Sequence, residues 1–180
     1  MEPRDTATFR GFADDLARVS PDELLDVRMR DFWCREGVST LYVATDSEGG
    51  EIYAQWLIDT ETEPRFRRPG IHILEPLPRL AADEVFVEGA YTFARNRRQG
   101  AMVDGMHQLL SLARDRGARR CLTYVGIDNV PSLRGCAAVG FVPDHIMVVR
   151  WRLGTSRVSS RALEAGDLSR WREAVVKARS

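Results

Sequence analysis

Long apolar runs are missing from this chain of 180 residues, and none approaches the roughly 20 apolar residues that a membrane-spanning helix requires. The first residues contain no basic segment followed by an apolar one, so no export signal is expected. Lysine occurs once, at Lys177, and 26 basic residues balance 26 acidic ones. A chain without excess positive charge is not expected to bind nucleic acid. These absences predict a cytoplasmic protein that binds neither membranes nor nucleic acid.

Cysteine and histidine are also scarce, with three residues of each. The cysteines show no paired spacing, so neither a disulfide framework nor a zinc site is expected. The histidines lack the short spacings of metal ligands, and we expect no bound metal. The cysteines are Cys34, Cys121 and Cys136.

Strand-like and helical segments alternate along the chain. Residues 38–45 and 51–58 are β-rich runs around a glycine-containing loop, which predicts two adjacent antiparallel strands. The later alternation predicts a mixed α/β sheet with helices packed on it. The later segments are a strand over 83–93, a helix between Gly100 and Gly117, a strand over 119–126, a helix over 132–139 and a strand over 145–153.

The remaining segments are predicted from local signals. Residues 6–12 suit a short first strand, and helices are expected over 14–19 and 21–36. Ser20 and Glu23 can form a capping box at the start of the second helix. Other expectations are a proline-rich loop over 59–82, a final helix over 159–180, and core positions at Leu24, Leu25, Phe32 and Trp33.

The segment over residues 92–102 combines arginines and a glycine between a predicted strand and a predicted helix. A helix N-terminus carries N–H groups without intrahelical partners and roughly half a positive charge. A phosphate group placed there is stabilised without a dedicated side chain, and Gly100 permits its close approach. The segment therefore predicts an anion site. Further along the chain come Asn129, Ser132 and then Gly140 with Phe141.

On these motifs, residues 38–153 resemble the GNAT superfamily of acyltransferases. Its phosphate-binding signature, R/Q-x-x-G-x-G/A, is matched by Arg97 and Gly100, whereas Met102 stands where glycine or alanine is usual. Further along the chain, the superfamily's Asn, short helix and Gly-Phe pair are matched in order by Asn129, Ser132 and Gly140 with Phe141. The resemblance implies a GNAT-like mixed α/β fold, in which helices flank a central twisted sheet with splayed parallel strands. We expect residues 1–155 to form this domain and residues 156–180 a C-terminal helical extension.

The resemblance also implies a site for acetyl-CoA, the acyl donor. Backbone groups at the end of the strand over 83–93 would bind the pantetheine arm, and N–H groups of residues 98–102 the pyrophosphate. Arginine side chains there would add charge-assisted hydrogen bonds. Asn129 is equally suited to capping a helix. The implied cofactor-binding residues are Tyr91, Thr92, Phe93, Arg97, Arg98, Gln99, Gly100, Ala101, Met102, Asn129 and Ser132.

Acyl transfer to an amine needs a proton acceptor for the amine and a proton donor for the leaving thiolate. Glu84 and Glu88 project from one face of their strand, and a partly buried carboxylate there would suit a general base. Glu88 is preferred because it is nearer the implied thioester, and Glu84 stays open. Cys136 stands where the superfamily usually has a Tyr that acts as the general acid. The alternative is that Cys136 is a small buried side chain of the core. Tyr124, on the neighbouring strand, is either another candidate acid or a buried structural tyrosine.

The implied activity is N-acetyl transfer from acetyl-CoA to the primary amine of a small molecule or peptide. Two alternatives remain: a long-chain N-acyltransferase that uses acyl-CoA or acyl carrier protein, and a non-catalytic acyl-CoA-binding module. Trp33, Trp56 and Phe86 suit either an acyl tunnel or the core. A homodimer is a further expectation from the resemblance. Four loop arginines suit either an anionic group of the acceptor or solvent: Arg65, Arg67, Arg68 and Arg79.

Overall fold

The computed structural model describes residues 1–67, 79–152 and 155–176. The described residues form two compact units, one containing residues 1–67 and 79–124 and the other containing residues 125–152 and 155–176. The elements of the first unit are β1 (Glu2–Arg4), α1 (Gly11–Asp15), α2 (Leu24–Arg35), β2 (Thr40–Thr45), β3 (Glu51–Ile58), α3 (Glu63–Phe66), β4 (Glu84–Thr92), α4 (Ala101–Asp115) and β5 (Arg120–Leu122). Those of the second unit are α5 (Val130–Val139), β6 (His145–Arg152), β7 (Thr155–Ala162) and α6 (Ala165–Val176).

A five-stranded sheet in the order β1-β2-β3-β4-β5 forms the centre of the first unit. The first four strands pair antiparallel, and β2 and β3 form the predicted hairpin. The last pair, β4 with β5, is parallel and contains three residue pairs, Glu84–Phe86 opposite Arg120–Leu122. Beyond Phe86, the described residues give β4 no partner on this side, although the strand continues to Thr92. The predicted mixed sheet is confirmed, and the splaying of its parallel strands is visible in part.

A glycine bulge interrupts β4. One residue of β3, Gln55, faces two residues of β4, Gly89 and Ala90. Gly89 has a φ of +66°, a left-handed conformation that glycine adopts without steric cost. Strand residues three apart normally point to opposite faces, but the extra residue places Glu88 and Tyr91 on the same face, since their partners on β3 are two residues apart.

Aromatic rings cover this face of the sheet beneath α1 and α2. Phe12 of α1 stacks on Trp56 with ring centroids 5.6 Å apart, and Trp33 of α2 meets Trp56 edge-on at 5.4 Å. Phe86 is equally buried. These rings are therefore part of the close-packed core.

On the opposite face, α4 packs directly against β3. A Cβ atom at Gly105 would lie 2.3 Å from the ring of Tyr53, so glycine at this position allows the close approach of helix and sheet. The buried side chains of α4 recur at helical spacing, as the sequence predicted. They are Met106, Leu109 and Ala113.

Four predicted secondary-structure segments differ from the structure. The helix expected over 14–19 is instead α1 (Gly11–Asp15), after which the Arg18 N–H bonds the Asp15 carbonyl at 2.8 Å in a turn, and the strand expected over 119–126 is only β5 (Arg120–Leu122). Residues 6–12 do not form the first strand, because Asp5 starts a turn by accepting hydrogen bonds from the N–H groups of Ala7 and Phe9, at 3.0 and 3.1 Å. The final helix does not begin at residue 159, because β7 pairs antiparallel with β6 along its whole length. It begins instead at Ala165. The proline-rich loop over 59–82 contains α3, and its residues 68–78 lie outside the described part of the chain.

The predicted core face of α2 is also partly wrong. Leu25 and Phe32 are exposed, by 79% and 39% respectively. Trp33 is buried as predicted and Leu24 is partly buried, and the other buried positions on this face include Val27 and Arg30. The helix therefore turns an arginine toward the sheet, a choice that the apolar pattern alone would not predict.

The second unit consists of α5, the β6–β7 hairpin and α6. Asn129 caps α5, because its side-chain oxygen accepts the N–H of Ser132 at 3.2 Å. Arg161 of β7 donates two hydrogen bonds to Asp167 of α6, at 2.6 and 3.0 Å. The division of the chain at residue 155 stays a prediction. Within the described ranges, no helix is both long and apolar enough to cross a bilayer.

Candidate active site

Glu88 lies immediately before the bulge, partly buried on the face of β4 that α2 covers. Burial raises the pKa of its carboxyl group to about 7, because the charged form loses hydration. The Gly89 N–H, the Arg30 charge and the Tyr124 hydroxyl oppose this rise, while the Asp26 carboxylate adds to it. A carboxyl group with this pKa gains and loses protons near neutral pH, as a general base must.

Tyr124 follows β5, and its hydroxyl lies beside the Glu88 carboxyl group, so that each group shifts the pKa of the other. Its ring lies 5.9 Å from that of Phe86 between centroids, and the residue is 37% exposed. Burial, followed by the negative charge of Glu88, raises the pKa of the Tyr124 hydroxyl above its usual value. The phenol therefore holds its proton at neutral pH and can donate it to Glu88 or to a bound ligand.

Glu84 has a different environment from Glu88, although the two share a face of β4. Its carboxylate binds Arg120 of β5 at 3.0 Å and accepts the N–H of Ala81 at 3.0 Å. Arg120 is also the residue paired with Glu84 in the sheet register. One oxygen of Glu84 thus joins β4 to β5, and the other binds the segment just before β4.

The loop before α4 presents a row of backbone N–H groups. Arg98 and Gly100 both adopt left-handed conformations, with φ values of +65° and +81°. Among the described residues, the N–H groups of residues 98–102 have no acceptor, whereas those of Val103 and Asp104 bind the Gly100 carbonyl at 2.9 and 3.2 Å. No side chain caps the helix. Gln99 is exposed, and Ala101 and Met102 are partly exposed. The open amides and the helix dipole together favour an anion.

The side chains of Arg97 and Tyr91 are bound within the protein. Arg97 donates to Glu23 at 2.6 Å, in the capping box before α2. Tyr91 donates to Asp15 of α1 at 2.7 Å, and the same carboxylate oxygen accepts the N–H of Ala94 at 3.0 Å. These bonds fasten α1 and the start of α2 to the end of β4.

Thr92 and Phe93 end the strand. The Phe93 N–H donates to Ile52 of β3 at 3.1 Å, and the Thr92 carbonyl accepts Arg97 at 3.4 Å. The ring of Phe93 is buried in the aromatic core. Because the described residues give this part of β4 no partner on its β5 side, that edge can pair with an extended ligand.

The second unit holds the other predicted site residues. At the start of α5, the Ser132 N–H donates to the side-chain oxygen of Asn129. Asn129 therefore has the helix-capping role that was one of its two predicted roles. Cys136 is buried in the same helix, and burial raises the pKa of its thiol to about 11. The thiol therefore keeps its proton at neutral pH. Its environment is that of a small core side chain.

The loop arginines are not all available to a ligand. Arg67 donates to the buried Glu63 at 2.6 Å, and Glu63 also accepts the N–H of Leu80 at 3.3 Å. Arg68 lies outside the described residues.

The predicted site residues did not include Arg30 and Asp26. Both residues lie on α2 and affect the pKa of Glu88 on β4. Arg30 donates to the carbonyls of Gly89 and Ala90 at 3.0 and 3.3 Å. Two signals were present in the sequence: a glycine inside a predicted strand, which is typical of a bulge, and an acid–base pair four residues apart on a helix.

Solved structures identify the fold. No family model and no curated protein matches the chain. One similar structure is the aminoglycoside antibiotic 6'-N-acetyltransferase AAC(6')-Ig from Acinetobacter haemolyticus in its apo form, with a TM-score of 0.52 and 16% identity over 84% of this chain and 96% of that one. Another is AAC(6')-Ih from Acinetobacter baumannii, with a TM-score of 0.51 and 14% identity over 85% and 97%. The chain has the fold of the GNAT N-acetyltransferases, which confirms the predicted fold class.

Proposed function

We propose that the protein is an N-acetyltransferase that moves an acetyl group from acetyl-CoA to the primary amine of a small molecule or peptide. The observation that carries the proposal is the position of Glu88, a carboxyl group with a pKa of about 7 that lies directly before a strand bulge and beside Tyr124. The two solved neighbours are aminoglycoside N-acetyltransferases by name, which supports an amine acceptor.

The residues present fit acetyl-CoA. The N–H groups of residues 98–102 offer hydrogen bonds to the pyrophosphate, and the exposed Arg98 adds positive charge. The edge of β4 beyond Phe86 offers backbone groups to the pantetheine arm. Bound acetyl-CoA supplies an acyl thioester that an amine can attack. These contacts would use backbone N–H groups, including that of Met102, and not side chains.

Glu88 and Tyr124 supply the two proton transfers. Glu88 accepts a proton from the acceptor amine as the new carbon–nitrogen bond forms. Tyr124 donates its proton to the departing sulfur, and the protonated Glu88 beside it returns a proton to the phenol. In this mechanism Tyr124 replaces the Tyr that the superfamily usually places at the position of Cys136.

The acetyl group is favoured over longer chains. Trp33, Trp56 and Phe86 are buried against neighbouring aromatic rings, so these side chains do not line a tunnel for an acyl chain. A cytoplasmic location remains an expectation from the sequence, and a homodimer remains one from the resemblance.

Substitution of Gly100 by Trp is expected to weaken acetyl-CoA binding by roughly tenfold or more, because the indole would cover the open N–H groups of residues 98–102. Calorimetric titration with acetyl-CoA, coenzyme A and a long-chain acyl-CoA measures the effect. The matched control is Gly117→Trp. Gly117 follows the other end of α4, also has a positive φ, and has no neighbouring atom within 4 Å of an added Cβ.

Acetyl-CoA binding that survives in the control and is lost in Gly100→Trp would support the donor site. The order of affinity among the three ligands tests the preference for acetyl. Equal binding by both variants would place the cofactor elsewhere, and failure of the wild type to bind any of the ligands would contradict acetyl-CoA as the donor.

A further inference from the structure

A buried arginine lies on the sheet-facing side of α2. Arg30 is 8% exposed. Its Nε donates to the Gly89 carbonyl at 3.0 Å and its Nη2 to the Ala90 carbonyl at 3.3 Å. Its Nη1 donates to the Asp26 carbonyl at 3.0 Å and forms an ion pair with the Asp26 carboxylate. The guanidinium therefore connects α2 to two consecutive carbonyls of the bulge.

The bulge needs such a partner. The extra residue interrupts the ladder of hydrogen bonds between β3 and β4, and a carbonyl left unpaired in a buried place costs free energy. A planar guanidinium can bind two neighbouring acceptors at once, which a lysine ammonium on a flexible stem does less well. Arg30 thus holds Gly89 and Ala90, and through them the orientation of Glu88, the residue just before them.

We propose that Arg30 is a positioning residue for the general base: it fixes the Gly89–Ala90 bulge and places a positive charge near the Glu88 carboxylate, which Asp26 partly balances. The inference rests on the proposed function, because it assigns Arg30 a role in that same site. Arg30 and Asp26 act on Glu88 from α2.

The charges near Glu88 make the positioning role of Arg30 testable. Burial sets the raised pKa of Glu88, the Arg30 charge lowers it, and the Asp26 charge raises it. Among the described residues, the hydroxyl of Tyr124 is the group from a further segment that affects the pKa of Glu88. Removing the charge of Arg30 and removing that of Asp26 are therefore expected to move the titration of Glu88 in opposite directions. A loss of packing alone would not shift the titration midpoint of Glu88 in opposite directions in the two variants.

The titration of Glu88 can be followed without activity. Carbon-13 NMR of glutamate side-chain carboxyl groups is recorded against pH on the ligand-free protein, and Glu88→Gln assigns the signal. In Arg30→Met the midpoint is expected to rise by about one pH unit, and in Asp26→Asn to fall by a smaller amount.

Two further variants separate charge from geometry. Arg30→Lys keeps the charge but loses the two-carbonyl contact, so the midpoint is expected to stay near that of the wild type while kcat falls roughly tenfold or more. Arg35→Met is the matched control, because Arg35 pairs with Asp31 at 3.0 Å in the same four-residue spacing on the solvent side of α2. It is expected to change neither quantity.

Midpoints that stay in place in both Arg30→Met and Asp26→Asn, or that move in the same direction, would overturn the proposal. Should Arg30→Met fail to fold, Asp26→Asn and Arg30→Lys decide by the same criteria. A wild-type protein that acetylates no amine, while the midpoints shift as expected, would overturn the proposed function and leave the action of Arg30 on Glu88 standing.

Discussion

Replacement of Glu88 by Gln is expected to lower kcat by roughly 100-fold or more and to leave the Kd for acetyl-CoA unchanged. Glutamine keeps the size and hydrogen-bonding capacity of the side chain but cannot accept a proton. The backbone amides assigned to the pyrophosphate belong to residues 98–102, which do not contact Glu88 among the described interactions. The rate is measured as coenzyme A released from acetyl-CoA with a panel of amines, and the Kd by calorimetry.

The pH dependence gives a sharper form of this prediction. With a pKa of about 7, the carboxyl group of Glu88 becomes protonated as the pH falls below 7 and can no longer act as a base. The wild-type kcat is therefore expected to decline on the acid side, and this decline is expected to disappear in Glu88→Gln. An unchanged pH–rate profile in the variant would contradict the assignment.

Glu84→Gln is the matched control for the base. Because Glu84 binds Arg120 and the Ala81 N–H, its substitution is expected to weaken the contact between β4 and β5 with little effect on the rate. If Glu84→Gln instead reproduced the loss of activity and of the acid limb, Glu84 would be the base.

Glu88 also makes the stability of the fold depend on pH. Its pKa in the folded protein, about 7, lies above the ordinary value of 4.5, so between these values the folded state binds more protons than the unfolded state. The free energy of unfolding is therefore expected to fall as the pH rises through this window. Glu88→Gln removes the effect, and at pH 8 it is expected to be more stable than the wild type by up to roughly 3 kcal/mol, measured by urea unfolding. If the difference in unfolding free energy between Glu88→Gln and the wild type were the same at pH 5 and pH 8, the raised pKa of the partly buried Glu88 would be contradicted.

Local signals were enough to predict several elements from the sequence. The turn between β2 and β3 contains Asp46 and two glycines, and the structure shows the expected hairpin. The capping box of Ser20 and Glu23 is present, and Asn129 caps α5. In each case the signal and the structure that it specifies lie within a few residues of each other, so the pattern alone carries the information.

The errors involve partners distant in sequence. The segment that forms β7 is amphipathic enough to suggest a helix, and its pairing with β6 decides otherwise. The face of α2 that meets the sheet includes Arg30, whose acceptors lie 59 and 60 positions away along the chain. Glu88 could be selected as the candidate base from its position in β4. The residues around it could not be predicted, because the bulge changes which side chains lie on the same face as Glu88.

Substitution of Gly89 by Ala is expected to lower the free energy of unfolding by about 3 kcal/mol, because two costs add. The backbone has a φ of +66°, which an L-residue adopts at a cost, and the new Cβ would lie 2.6 Å from the Trp56 ring and 3.2 Å from that of Trp33. Neither ring can move freely, since each is buried against the other. Urea unfolding of the variant and the wild type measures the difference.

Gly49→Ala separates the two costs. Gly49 has a φ of +83° in the β2–β3 turn, and no atom lies within 4 Å of an added Cβ, so the substitution should cost about 1 kcal/mol from the backbone alone. An equal loss in the two variants would show that the rings tolerate the added methyl group. A larger loss at Gly89 is expected to accompany a fall in kcat in the protein that remains folded. Gly89 lies against Trp56 and directly follows Glu88, so a change that distorts the backbone at Gly89 is expected to reorient the Glu88 side chain as well.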